Sequence, residues 1–262
     1  MANPDGSFIW YELSTPDPDA AKAFYGAVVG WTVGEAPPGP MDYRMFGVAD
    51  GFVGGVMRLD AAMQAGGAHP GWLGYLGVAD VDAKAAAVEQ AGGGTVVPPT
   101  DIPGVGRFAL LTDPAGAPFY IMRGDSPEPS RSFARTGSLG RCAWNELATP
   151  DQSAALAFYG PLFGIEMTGA MSMGPMGDYS FLSHAGNEIG AMADVQQGGM
   201  PPGWTFYFRV DDVGRAAQAI TDGGGSVFMG PHAVPTGERI VIATDPHGAV
   251  FGLVDAGEKQ PS

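Results

Sequence analysis

Two stretches of this chain are near copies. FIWYELSTPDPDAAKAFYGAVVGW runs from Phe8 to Trp31, and CAWNELATPDQSAALAFYGPLFGI from Cys142 to Ile165. One offset, 134, joins Trp10 to Trp144, Glu12 to Glu146, Asp17 to Asp151, Phe24 to Phe158 and Gly30 to Gly164. Later matches drift by a few residues, as loops of unequal length require. Asp42-Tyr43 recurs as Asp178-Tyr179, Trp72 as Trp204, and GRFALLTDPAG from Gly106 as ERIVIATDPHG from Glu238. The order is kept from end to end, so a whole domain is duplicated. Any fold for this chain must therefore be one that a half-chain sequence can specify, twice.

The boundaries follow. Residues 1–123 form the first copy and 141–262 the second, and the Ser-, Pro- and Gly-rich segment 124–140 reads as a linker. Each copy divides again into two β-α-β-β-β runs. Asp17, Asp80, Asp151 and Asp212 stand where they can N-cap the four helices, with Pro18 in the first turn of the first. Helical spacing puts Ala20, Phe24 and Val28 on one face, and Ala154, Phe158 and Leu162 on the matching face. Gly92 and Gly223 are placed to end the second helix of each copy in left-handed geometry. These glycines follow a helix instead of preceding one, which argues against a phosphate-binding loop.

Composition removes several function classes. The net charge of -15 repels a phosphate backbone, so no nucleic-acid partner is expected. The single Cys142 excludes an intrachain disulfide framework and a cysteine-built zinc site. No apolar run reaches membrane-span length, so no membrane partner is expected. The stretch MANPDGSFIWYE has neither a basic segment nor an apolar signal core, and a cytoplasmic protein is expected. No two of His69, His184, His232 and His247 stand at ligand spacing, and all four read as surface or locally hydrogen-bonded residues.

The motifs Asp17…Phe24-Tyr25…Gly30 with Asp113-Pro114-Ala115-Gly116, and Asp151…Phe158-Tyr159…Gly164 with Asp245-Pro246-His247-Gly248, resemble the glyoxalase/bleomycin-resistance/dioxygenase (vicinal oxygen chelate) superfamily. The duplicated Trp-x-Glu-Leu form is similar to its two-domain culture-filtrate-antigen-like glyoxalase/hydroxylase subgroup. The resemblance implies an α+β fold of four βαβββ modules forming two curved, mostly antiparallel, cup-like sheets. It also implies ligand positions for a divalent metal. In this sequence they fall on Trp10, Leu73 and Tyr120 in the first copy and on Trp144, Thr205 and Gly252 in the second, with looser matches near Gly55 and Gly190. None supplies an imidazole or a carboxylate. No cofactor is therefore expected at the inherited positions; a divalent metal held by other residues stays open.

Strand alternation sets Phe8, Trp10 and Glu12 on one face, and Cys142, Trp144 and Glu146 on its copy. The family geometry makes that face concave. Trp10, Trp72, Tyr75 and Tyr120 are expected to line one cup, and Trp144, Trp204, Tyr207 and Phe251 the other, with room near Gly55 and Gly190. Two readings of Glu12 and Glu146 stand. One is a structural salt bridge to Arg107 and Arg239; the other is a catalytic acid or base shifted by burial. Arg209 is a candidate anchor for an anionic ligand. Three functions compete: a binding protein with two metal-free cups for a small, partly apolar ligand; a metal-dependent glyoxalase-like lyase or dioxygenase/hydroxylase with non-inherited ligands; and an interaction protein whose cups its own side chains fill. The molecule is expected to be a monomer of two fused domains or a homodimer.

Overall fold

A computed structural model describes residues 3–36, 41–196, 199 and 201–257. Its strands form two eight-stranded sheets, each built from one copy of the repeat. In the first, β1 (Phe8–Thr15), β2 (Thr32–Val33), β3 (Tyr43–Val48), β4 (Gly51–Arg58), β5 (Gly71–Gly77), β6 (Gly94–Ile102), β7 (Gly106–Thr112) and β8 (Pro118–Gly124) lie in the order β2-β3-β4-β1-β5-β8-β7-β6. In the second, β9 (Cys142–Thr149), β10 (Ile165–Ser172), β11 (Asp178–His184), β12 (Asn187–Asp194), β13 (Gly203–Arg209), β14 (Ser226–Ala233), β15 (Arg239–Thr244) and β16 (Val250–Asp255) repeat that order as β10-β11-β12-β9-β13-β16-β15-β14. Within each module the first and last strands pair in parallel, as β1 with β4 and β13 with β16, and the hairpins are antiparallel. This is the expected tandem βαβββ architecture, with mixed sheets.

The helices are α1 (Pro18–Val28), the short α2 (Ala61–Ala65), α3 (Val81–Gln90), α4 (Gln152–Phe163) and α5 (Val213–Asp222). Asp17, Asp80, Asp151 and Asp212 cap α1, α3, α4 and α5, each accepting backbone N–H bonds from the first turn. Phe24, Val28 and Phe158 face inward as expected, but other members of the stripes differ. Ala21, Phe24, Tyr25 and Val28 face inward on α1, and Ala155, Phe158, Tyr159 and Phe163 on α4, in place of Ala20, Ala154 and Leu162. After α5 the left-handed residue is Gly224 (φ 84°), not Gly223. The methionine-rich segment before Tyr179 is ordered as the end of β10 and a 3-10 turn, Gly174–Met176.

The contacts sort the chain into two compact units. One holds Met1–Trp10, Leu73–Ser130 and Trp144–Thr205; the other holds Tyr11–Trp72, Arg131–Ala143 and Phe206–Ser262. Each unit thus takes one βαβββ module from each half of the sequence. In the first unit the join is a buried relay. Trp204 Nε1–H donates to Tyr159 Oη at 3.1 Å, and Tyr159 donates to Asp113 Oδ2 at 3.2 Å. The other carboxylate oxygen, Oδ1, accepts the N–H groups of Ala115 and Ala117 at 2.9 Å, fixing the turn of the DP.G motif. The second unit repeats this with Trp72, Tyr25 and Asp245. Burial and the neighbouring carboxylate push both phenols well above the usual tyrosine pKa.

Candidate functional site

The site residues are best followed on β9. Asn145 points to the opposite face, where it donates to the Ile189 carbonyl. Trp144 and Glu146 share the near face. Between them stands Tyr179, the second residue of β11. Trp144 Nε1–H donates to Tyr179 Oη at 2.9 Å, and Tyr179 donates to Glu146 Oε2 at 2.6 Å. Such a short bond is typical of a hydroxyl donating to a carboxylate. Burial first, then the charge of Glu146, holds the Tyr179 phenol far above its ordinary pKa, so it remains a donor. Phe181 lies edge-on to Trp144 at 6.4 Å and to Tyr179 at 5.8 Å. In the ladder Ala191 pairs with both Glu146 and Phe181, so a methyl group floors this aromatic corner.

In the first copy the counterparts of Glu146 and Tyr179 are Glu12 and Tyr43, both in the second unit. Glu12, buried on β1, pairs in register with Gly55 of β4. The Tyr43 phenol lies across Gly55, whose added Cβ would stand 2.2 Å from Tyr43 Oη. Tyr43 is the repeat partner of Tyr179. Neither tyrosine was singled out from sequence as a site residue, although the recurrence of Asp42-Tyr43 as Asp178-Tyr179 marked both.

Several expectations are corrected. Arg107 does not partner Glu12; its guanidinium binds Asp82 at 2.7 Å and Asp101 at 2.9 Å, on the surface. Arg239 forks onto Asp255, with Nη2 2.5 Å from Oδ2. Asp101 and Asp255 stand on the arginines' own hairpins, and Asp82 on α3. Trp72 and Trp204 are not cup residues. Both are core, with Trp72 Nε1 2.9 Å from Tyr25 Oη and Trp204 bound to Tyr159 as described. Phe251 is core as well, edge-on to Phe24 and Tyr25. Phe8 packs edge-on to Trp204 at 5.2 Å. His184 is buried and bonds the Asp5 carbonyl at 2.9 Å.

The remaining residues are placed as follows. Trp10 is half-buried on β1. Tyr75 and Tyr120 stack at 4.2 Å across the parallel β5–β8 pair. The Tyr207 ring lies over Gly252, whose added Cβ would come within 2.3 Å of it. Arg209 is buried, with Nη2 2.8 Å from Glu238 Oε1 and 2.8 Å from the Arg135 carbonyl. Gly55 and Gly190 leave no room. Tyr43 covers the first, and an added Cβ at the second would meet the Asn145 carbonyl oxygen at 1.8 Å.

The fold family implies a divalent metal. Its positions carry indole, aliphatic, phenol and hydroxyl groups, and the space at Gly55 and Gly252 is taken by tyrosine rings. Among the described residues no three His, Cys, Asp or Glu side chains gather to hold an ion. The residues present do not fit a hard divalent metal at the inherited positions.

Comparison with known proteins agrees with the architecture. A family model described as Glyoxalase/Bleomycin resistance protein/Dioxygenase superfamily matches twice, over residues 7–121 and 138–253. CFP32 of Mycobacterium tuberculosis (strain CDC 1551 / Oshkosh), provisionally named a glyoxylase, is 32% identical over 254 residues, covering 96% of this chain and 95% of the relative. The anthracycline biosynthesis protein DnrV of Streptomyces peucetius is 32% identical over 272 residues, covering 98% and 96%. The Mn(II)-bound glyoxalase from Novosphingobium aromaticivorans has the same fold, with a TM-score of 0.66 and 21% identity over 97% of this chain and 83% of that one.

Proposed function

The chain belongs to the Glyoxalase/Bleomycin resistance protein/Dioxygenase superfamily, and from that premise we propose that it binds a small, partly apolar ligand without a metal, at the corner formed by Trp144, Tyr179, Phe181 and Glu146. The carrying observation is the chain of bonds from Trp144 through Tyr179 to Glu146. A carboxylate oriented by a phenol and flanked by aromatic edges suits a flat molecule that offers an O–H or N–H donor. The relation to a protein named for anthracycline biosynthesis supports an aromatic, hydroxylated ligand. Glu146 accepts the ligand's proton donor; Tyr179 holds the carboxylate in place and Trp144 holds the phenol.

The test uses alizarin, a planar hydroxylated anthraquinone, and its dimethyl ether, on protein dialysed against a chelator. Alizarin should quench tryptophan emission saturably, and the ether should bind at least about tenfold more weakly, as loss of a hydrogen bond to a charged group implies. Glu146→Gln should weaken alizarin to a similar degree while sparing the melting temperature. Binding that appears only when manganese is added favours the metal-dependent reading. A second reading has its own support: Tyr43 over Gly55, Tyr207 over Gly252 and the stacked Tyr75–Tyr120 pair fill space with the protein's own rings. It makes the chain an interaction protein, and neither compound would then bind.

A further inference from the structure

The duplication supplies an internal control for a second site. Pro4–Ser7 and Ser138–Arg141 occupy matching places ahead of β1 and β9. Gly6 N–H bonds the Gly77 carbonyl at 2.7 Å and Gly77 N–H bonds the Ser7 carbonyl at 2.8 Å. Likewise Gly140 N–H bonds the Arg209 carbonyl at 2.7 Å and Arg209 N–H bonds the Arg141 carbonyl at 2.9 Å. The backbones are equivalent; the side chains are not.

In the first unit Asp5 acts as a plug. Its Oδ1 accepts the Ala79 N–H at 2.7 Å, its Oδ2 pairs with Lys84 Nζ at 3.2 Å, and its carbonyl meets His184 Nε2 at 2.9 Å. In the second unit the repeat puts Leu139 at the place of Asp5, Asp211 at Ala79, Ala216 at Lys84 and Val48 at His184. Leucine has no acceptor for the Asp211 N–H. Where the plug would sit there is a groove of about 690 Å³ lined by Trp31, Val48, Asp50, Leu139, Arg141 and Ala216. Leu139 is 55% exposed within it. Arg141 is 9% exposed; its Nη2 pairs with Asp50 at 2.5 Å, while its buried Nε has no hydrogen-bond partner. The nearby acids are engaged. Asp211 faces Arg215 at 3.4 Å, and Asp212 caps α5 through the N–H groups of Gly214 and Arg215.

We propose that this groove binds a small organic carboxylate, whose head takes the place held by the Asp5 carboxylate in the other unit. The head accepts from the Asp211 N–H and the Arg141 guanidinium, close to the positive end of α5. An apolar tail lies along Trp31, Val48, Leu139 and Ala216. The groove volume suits a molecule of that size. This site is separate from the Glu146 corner and does not depend on it.

The test is a nitrogen–proton NMR titration of the full chain with octanoate and, in parallel, octanamide. Octanoate should shift the Asp211 amide and the Trp31 indole N–H saturably and leave the Ala79 amide unmoved. Octanamide should bind at least about tenfold more weakly, since it lacks the charge. Leu139→Asp combined with Ala216→Lys rebuilds the plug of the other unit and should abolish the octanoate shifts. Leu139→Asp alone should weaken them, which keeps the test decisive if the double variant folds poorly. No shift at Asp211, equal binding of the amide, or undiminished binding by the plugged variants would overturn the proposal.

Discussion

Tyr159→Phe isolates one oxygen at the join between two modules. That oxygen accepts from Trp204 Nε1 and donates to Asp113 Oδ2, and all three residues are buried. Losing a hydrogen bond to a carboxylate costs roughly 1.5–3 kcal/mol, and a buried donor left without an acceptor costs roughly 1–3 kcal/mol. Asp113 keeps its two backbone donors, which limits the loss at that end. The lower half of each range applies, and about 3 kcal/mol is expected. For a chain of this size that corresponds to a fall of about 6–12 °C in melting temperature. Scanning calorimetry reads the shift, and Tyr25→Phe in the other unit should give a similar one. A double-mutant cycle of Tyr159→Phe with Trp204→Phe should show coupling of about 1 kcal/mol, because the two groups share the bond. A loss below about 1 kcal/mol for Tyr159→Phe, or strict additivity in the cycle, would refute the reasoning.

Three further outcomes follow from the same physics. Tyr25, Tyr159 and Tyr179 have pKa values raised by burial and adjacent carboxylates, so the folded state retains phenol protons that the unfolded state loses. Stability should therefore fall as pH rises past about 10, and ultraviolet titration should show these three ionising only with unfolding; tyrosinate absorbance from them in folded protein near pH 10 would contradict this. Asp255→Asn should cost roughly 3 kcal/mol in chemical denaturation, since the fully buried carboxylate holds Arg239 at 2.5 Å and the Val213 N–H at 3.0 Å; an unchanged midpoint would show the pair to be dispensable. Gly252→Ala should cost about 1–3 kcal/mol by driving a methyl group into the Tyr207 ring, and a crystal structure of the variant with that ring unmoved would contradict the argument.

The fold was legible because its signals are local. Four aspartates cap four helices, and the repeat announces the duplication. The helix faces were legible only in part, because Phe24-Tyr25 and Phe158-Tyr159 are buried as adjacent pairs, which widens the stripe beyond a single row. The two core tryptophans were misread for a reason already visible in the sequence. Trp72 and Tyr75 are three apart, as are Trp204 and Tyr207, so a regular strand cannot show both on one face. The arginine partners were not legible. Twenty-eight acids compete for thirteen basic residues, and only the folded chain ranks them by distance. Tyr43 and Tyr179 were marked by the repeat, but nothing local says that their rings lie across the neighbouring strands.

Each compact unit takes one module from each half of the sequence, and the segment between the copies runs from the first unit into the second. A chain cut between Gly124 and Gly140 would free two fragments, and neither would hold a finished unit. The tyrosine of each fragment's first module would have lost the aspartate that it meets, because that aspartate travels with the other fragment. Two such fragments could rebuild both units only by meeting, each donating its tyrosine to the other's DP.G turn. The duplicated chain is in this sense a pair of half-length molecules that exchange modules and have been spliced together, so that their encounter no longer depends on concentration.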